Sequence, residues 1–425
     1  MKIMTRCLCA VSLLVFLAGC TASQRVVQVR STGMTDETAV IQHAINSCPK
    51  GGVVELTRGT YISGSLYLKS DMTLKIDHGA TIKGTENDGE YPIINTRIGG
   101  LEMPHPAALI NAIDCQHTCI TGEGTIDGSG KKWWDYFWKM RQQYGRGIDF
   151  KVLRPRLVCF TRCQDSSISK LTLQNPPFWT LHLLYSNHIR VDGLTIRAPR
   201  KAPSSDGIDV DSSNDISIAH CDIACDDDNI SVKAGRDADG LRVNKPSENI
   251  TIRDCHFGAG GGVAMGSETA GGIRHVLVDH CTFDGSGAAV RIKSMPGCGG
   301  VVEDITYQNI TAKNVRSPIE INLTWGGDDW KKSVDPKFAA RVPAALGTPH
   351  VRNIHILNLS ATDCPTAGII YGLPNSPISD VQFVNVHISS DRGLGISHTD
   401  NLNFNGLTIQ TKIGPAIVLH STSKK

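Results

Sequence analysis

The sequence predicts an all-β solenoid of stacked short strands, on three observations. Short apolar alternations recur through the second half, each followed by a Gly- or Asp-rich turn. Aromatic residues make up only 6% of the chain while Gly reaches 42 of 425 residues, a composition of tight turns and β-branched strands rather than of helices. No Pro-, Gly- or Ser-rich linker divides the chain, so the repeats belong to one long body.

In chain order, the first element is a targeting segment. Lys2 and Arg6 precede an apolar run over 8–17, and Leu17-Ala18-Gly19-Cys20 follows. The run is too short to span a bilayer stably. Its ending resembles a bacterial lipobox, which implies cleavage after Gly19, a lipid on the sulfur of Cys20, and an exported protein anchored to a membrane, periplasmic or at the cell surface. Residues 1–19 are thus read as a signal peptide, 20–30 as a short tether, and 31–425 as the folded domain.

One helix opens that domain. Thr35 can cap it, and Val40, Ile41, Ala44 and Ile45 form an apolar stripe at helical spacing. Everything after it reads as short strands, such as Gly52–Leu56, 65–68 and 73–76. In the second half Asn214-Asp-Ile-Ser-Ile is echoed from Asn249, His275, Asp304, Asn353 and Asp380, with gaps of 35, 26, 29, 49 and 27 residues. The longest gap carries an insertion over 326–349. A single repeat cannot bury its apolar face alone, so repeats must stack, and the opening helix covers the end of the stack. A β-propeller needs some 40 residues per blade, and this spacing disfavours it.

Eleven of the 14 cysteines remain after the signal and Cys20, an odd number, so at least one is unpaired. Cys115/Cys119, Cys159/Cys163 and Cys221/Cys225 share a four-residue step without the spacing or histidines of zinc sites. Stacked buried thiols or a few disulfides are the expectation. A net charge of +2 with no basic stripe gives no reason to expect nucleic acid as a partner. Nothing points to an oligomer, and a monomer is expected.

The chemistry concentrates at Asp206, at Asp227-Asp228, and at Arg291-Ile292-Lys293. Asp206 and Asp227 are one rung apart at 21 residues, and rungs stack about 4.8 Å apart. The three carboxylates should therefore share one wall. Glycoside hydrolysis needs an acid for the leaving oxygen and a carboxylate to activate water. Clustered carboxylates cannot all ionise cheaply, so one should hold its proton. Arg291 and Lys293, two apart on a strand, face the same way and could hold a substrate carboxylate, which points to a uronic-acid sugar. The residues alone leave a calcium site or solvated Asx turns open for 226–228. Asp209, Asp211 and Asn214 read as ladder and turn residues.

Together these segments resemble the polygalacturonase family of glycoside hydrolases, family twenty-eight. The resemblance rests on Ser205-Asp206-Gly207-Ile208-Asp209, Asp227-Asp228-Asn229-Ile230, Lys233-Ala234-Gly235 and Arg291-Ile292-Lys293. It is supported by Gly59-Thr60-Tyr61, by 121–127, and by Pro177-Phe178-Trp179-Thr180-Leu181-His182, and covers nearly the whole mature chain. It implies a single-stranded right-handed parallel β-helix of the pectin-lyase type. It implies an inverting hydrolase of α-linked galacturonate in pectic polysaccharide or oligogalacturonide, with no metal cofactor. Asp227 then matches the general acid, and Asp206 and Asp228 match the pair that positions and activates water. Arg291 and Lys293 match the carboxylate clamp, with His182 and Trp325 on the substrate side. The pattern departs from the family where Gly-His-Gly is usual: here 259–267 contains no histidine. Its Gly-Gly-x-Ala-Met-Gly-Ser form resembles the rhamnogalacturonan-cleaving branch. Inversion implies a carboxyl separation of about 6.5–9.5 Å. A calcium-dependent lyase and a non-catalytic glycan-binding solenoid are the competing readings. The aromatic run Trp133–Trp138 sits in an insertion over 131–156, where at least one Trp is expected to stack on sugar and Phe137 to pack inward. The insertions could block one cleft end and favour exo action.

Overall fold

The computed structural model describes residues 25–145, 148, 150–326 and 342–420. The signal peptide and Cys20 lie outside these residues, as does most of the 326–349 insertion. Thirty-two strands join into one continuous solenoid whose adjacent rungs pair in parallel, and a separate two-stranded antiparallel hairpin stands on it. The architecture is the expected right-handed parallel β-helix, with three faces. Parallel in-register stacking leaves no room for propeller blades.

The repeats read from sequence are one face of the solenoid. Ile216, Ile250, Val276, Ile305, Ile354 and Val381 stand in register on six consecutive rungs and are buried. Each of these strands turns through a residue with φ between 54° and 56°: Asp215, Asn249, His275, Asp304, Asn353 and Asp380. The short polar side chains of Asn and Asp tolerate this left-handed conformation, which is why the repeat keeps returning to them. Inside, aliphatic side chains stack rung on rung into a single core.

Helix α1, Thr38–Ser47, covers the first rungs by burying Ile41, Ala44 and Ile45. Val40, expected in the stripe, is exposed. Thr35 does not cap the helix; Asp36 Oδ1 accepts from the Thr38 amide at 2.8 Å. The tether also differs from expectation. Val26–Val29 is a strand paired with Gly52–Leu56, so the solenoid begins before the helix. An apolar alternation of four residues is too short to be separated from a linker by pattern alone.

All eleven described cysteines are free, and ten are buried. Of the four-residue pairs, Cys115, Cys163, Cys221 and Cys225 sit at solenoid corners between strands, Cys119 and Cys159 lie within strands, and none forms a disulfide.

Candidate active site

Five strands lie side by side under the cleft: Leu181–Leu184, Ile208–Asp211, Ile230–Lys233, Val263–Met265 and Val290–Lys293. Alternation sends Ile208, Val210, Ile230 and Val232 into the core. It turns Asp209, Asp211, Ser231, Lys233, Arg291 and Lys293 outward. Asp206 and Asp228 each stand two residues ahead of their strands on neighbouring rungs, where the Gly207 amide donates to Asp228 O at 2.9 Å. With Asp227 beside them, the three carboxylates offer oxygens within 4.8 Å of one another. The expected shared wall is present.

Arg291 and Lys293 do reach this wall, but both engage Asp228. Arg291 Nη1 donates to Oδ1 at 2.7 Å and Lys293 Nζ to Oδ2 at 2.6 Å. Trp325 lies against both cations, its ring centroid 4.7 Å and 5.0 Å away. A hard metal ion could use the same three carboxylates, yet both oxygens of Asp228 already hold a protein cation.

Lys233 is the cation whose role the sequence did not disclose. Its ammonium lies 3.4 Å from Asp206, 3.4 Å from Asp209 and 3.5 Å from Glu268, and 4.9 Å above the Trp179 ring. Arg236 pairs with Glu268 at 2.5 Å from the other side.

These charges separate the three acids. Burial pushes the Asp227 carboxyl up to about 7, and the charges of Asp206 and Asp228 push the same way. Burial also acts to raise Asp228, but Lys293, Arg291 and Lys233 outweigh it and hold Asp228 below the ordinary range. Asp206 is raised by burial and by Asp228, against the pull of Lys233. Asp209 is raised well above its usual range by burial and then by Asp206. Asp227 is also the one acid of the clustered three, Asp206, Asp227 and Asp228, that is partly exposed. The site thus presents one proton donor near neutrality beside one firmly ionised carboxylate, the division that acid–base hydrolysis requires.

A hollow of about 250 Å³ lies over Asp206, Asp227 and Asp228. Ile98, Gly99 and Phe150 wall one end of it, while Trp179, Arg236 and Trp325 line its sides. Phe150 comes from the 131–156 insertion, and Ile98 and Gly99 come from the hairpin Ile93–Ile98 and Leu101–Pro106. Gly99 and Gly100, with φ of 53° and 82°, form its two-residue turn. The tip fits tightly, since a Cβ on Gly99 would meet Phe150 at 2.6 Å and one on Gly100 would meet Glu268 at 2.7 Å. Sequence reading missed this hairpin, although Gly-Gly between two apolar runs is its ordinary signal. Arg97 fastens it by a 3.1 Å ion pair with Asp211, both side chains fully buried.

Two expectations need correction. His182 is fully buried, 2.7 Å from Arg156 and edge-on to Trp179, so it supports the wall rather than touching substrate. The aromatic run forms helix α2, Lys131–Tyr144, whose Trp and Phe side chains pack on the solenoid side while Tyr136 is exposed. Trp133 lies edge-on to Tyr91, Phe137 is buried, and Trp134 and Trp138 donate to Pro176 O and Lys201 O. None of these three Trp lines the hollow; Phe150, Phe178, Trp179 and Trp325 supply its aromatic surface.

Comparison with known proteins gives a consistent result. The family model described as glycosyl hydrolases family 28 matches residues 48–405. An endo-polygalacturonase of Pectobacterium carotovorum subsp. carotovorum is 33% identical over 68% of this chain and 72% of its own length. An exo-poly-alpha-D-galacturonosidase of Dickeya chrysanthemi is 28% identical over 89% of this chain and 69% of its own. The crystal structure of a hyperthermoactive exopolygalacturonase from Thermotoga maritima superposes with a TM-score of 0.75 at 27% identity, covering 90% of this chain and 92% of that one.

Proposed function

Because the chain belongs to glycosyl hydrolase family 28, we propose that it hydrolyses α-linked galacturonate in pectic polysaccharide, removing sugar from a chain end as a monomer. The observation that carries this reading is the split among three carboxylates within 4.8 Å of one another, with Asp227 near 7 and Asp228 held ionised by two cations. Asp227 protonates the glycosidic oxygen. Asp206 and Asp228 hold a water against the anomeric carbon from the other side, and Asp206, with its raised carboxyl, is the stronger base of the two. Inversion follows if that water attacks directly. End-wise action is supported by the hairpin, whose Ile98 and Gly99 line the hollow that holds the three carboxylates.

The test is digestion of defined oligogalacturonides and rhamnogalacturonan oligosaccharides by the soluble form lacking residues 1–20, following the new anomer by NMR. A saturated, inverted monosaccharide from galacturonides, absent with Asp227→Asn, is the expected outcome. Cleavage of rhamnogalacturonan alone would change the backbone assignment. An unsaturated product would make the protein a lyase, and binding without cleavage a glycan binder.

The chain is further read as a lipid-anchored export product, supported by the apolar run before Leu17-Ala18-Gly19-Cys20. Among the described residues no helix is long and apolar enough to cross a membrane. Full-length protein should fractionate with membranes, and Cys20→Ser should release it; a soluble parent protein would rule the anchor out.

A further inference from the structure

On the far side of Asp227 from the hairpin lies a second hollow, of about 350 Å³. It shares Asp227 and Trp325 with the first, so the two are consecutive stretches of one groove. Its floor is nearly bare of side chains: Gly260, Gly261, Gly285 and Gly287 line it. Beside Asp227 the floor cannot easily be filled, since a Cβ on Gly261 would meet Asp228 Oδ1 at 2.2 Å and Arg291 Nη1 at 2.4 Å, and one on Gly260 would meet the Asn229 side chain at 2.5 Å. Two exposed arginines, Arg200 and Arg316, stand over this floor. Arg291 also lines it but is committed to Asp228. Neither Arg200 nor Arg316 has a carboxylate partner among the described residues. Asp226 at the rim is the one exposed acid facing them.

The corner that carries Asp227 continues through Gly260 and Gly287 to Arg316. Backbone hydrogen bonds link these rungs, from Gly261 N to Asp227 O at 2.7 Å, Gly287 N to Gly260 O at 2.7 Å, and Ser317 N to Gly287 O at 3.0 Å. Arg316 therefore stands three rungs along, about 14 Å at ~4.8 Å per rung. A pyranose in an extended polysaccharide advances by about one rung. Arg200 comes from the rung before Asp227, where Ala198 N donates to Ala224 O at 3.0 Å.

We infer that the Gly-floored hollow between Arg200 and Arg316 is an outer subsite for a uronate residue, set in the part of the polymer that extends away from the closed end. This rests on the hydrolase reading above and deepens it. The hairpin end receives the terminal sugar, Asp227 stands at the scissile bond, Arg316 reads a carboxylate three rungs farther along, and Arg200 flanks the same hollow from the rung before Asp227. Guanidinium groups suit this task because they meet a carboxylate with two parallel donors.

The test compares di- and tetragalacturonate. For the parent protein kcat/KM should rise about tenfold from dimer to tetramer, the scale of one or two charge-assisted hydrogen bonds. In the Arg200→Ala/Arg316→Ala double variant this ratio should collapse to about one, and methyl-esterified tetramer should show no gain with the parent protein. Calorimetric binding to Asp227→Asn separates this inference from the hydrolase reading, since it needs no turnover. There, tetramer should bind about tenfold more weakly once both arginines are removed. A length ratio unchanged in the double variant, or tetramer binding indifferent to the arginines, would overturn the subsite even if hydrolysis is confirmed. Arginine-dependent tetramer binding without cleavage by the parent would leave the subsite standing and sink the hydrolase.

Discussion

Two faces of the solenoid are built from the same rung and differ in what covers them. On the face that carries Ser247–Arg253, outward side chains meet water, and Arg253 pairs with Asp254 at 2.6 Å while both remain about half exposed. On the cleft face the hairpin and loops lie over the outward side chains. There Arg97 pairs with Asp211 at a longer 3.1 Å, with neither exposed at all. The shorter contact is the weaker contributor. An exposed pair is screened and contributes roughly 0–1 kcal/mol, whereas removing one member of a buried pair strands the other at a cost of about 3–5 kcal/mol. The rungs do not need so many buried charges, since the other faces hold together with parallel backbone pairing, aliphatic ladders and Asn ladders such as Asn249 to Asn214. The cleft face keeps its buried charges because catalysis needs displaced proton affinities and a fixed end wall.

The largest effect expected from breaking this contrast is at the acid itself. Asp227→Asn should lower kcat by at least about 10²–10⁴, measured on oligogalacturonide. Circular dichroism should show the fold unchanged. Arg97→Ala should come next, with a loss of about 3–5 kcal/mol in urea unfolding. The matched Arg253→Ala should cost under about 1 kcal/mol; equal losses would mean the two faces are energetically alike. A released hairpin should also let the Arg97 variant produce longer oligosaccharides beside the monosaccharide.

The pH profile sharpens the comparison more gently. Asp227 must carry its proton to act, so kcat/KM should fall as pH rises through about 7. Removing a neighbouring negative charge lowers the affinity of Asp227 for that proton. Asp206→Asn should therefore move the alkaline limb of whatever activity remains to lower pH. A limb that stays in place would show that burial alone raises Asp227.

Much of this was legible in the sequence because the solenoid repeats itself. Asn249 and Asp304 announce turns whose left-handed backbone favours those residue types, and the 21-residue step from Asp206 to Asp227 fixes their adjacency once rungs are assumed. What escaped detection was whatever breaks the repeat. Ile93–Pro106 stands off the solenoid as an antiparallel hairpin, and its partner Asp211 is 114 residues away, so no local pattern joins Arg97 to it. His182 was misplaced for a related reason. Outward alternation puts it on the cleft face, but only the tertiary cover decides that Arg156 and Trp179 bury it. Lys233 stood in a recognised motif, yet its neighbours come from the rungs on either side of it, Asp206 and Asp209 from the one before and Glu268 from the one after.

The hairpin turn at Gly99-Gly100 has a consequence at the scale of the polymer. A groove stopped there, as the end-wise reading proposes, would admit substrate by its tips, so the number of tips, and not the mass of pectin, would set the pace. Reducing sugar would accumulate while a pectin solution stays thick, since the long chains persist and merely shorten. A blocked or decorated tip would protect every bond behind it. Such a catalyst works best downstream of one that cuts chains in the middle, because each internal cut hands it a new tip.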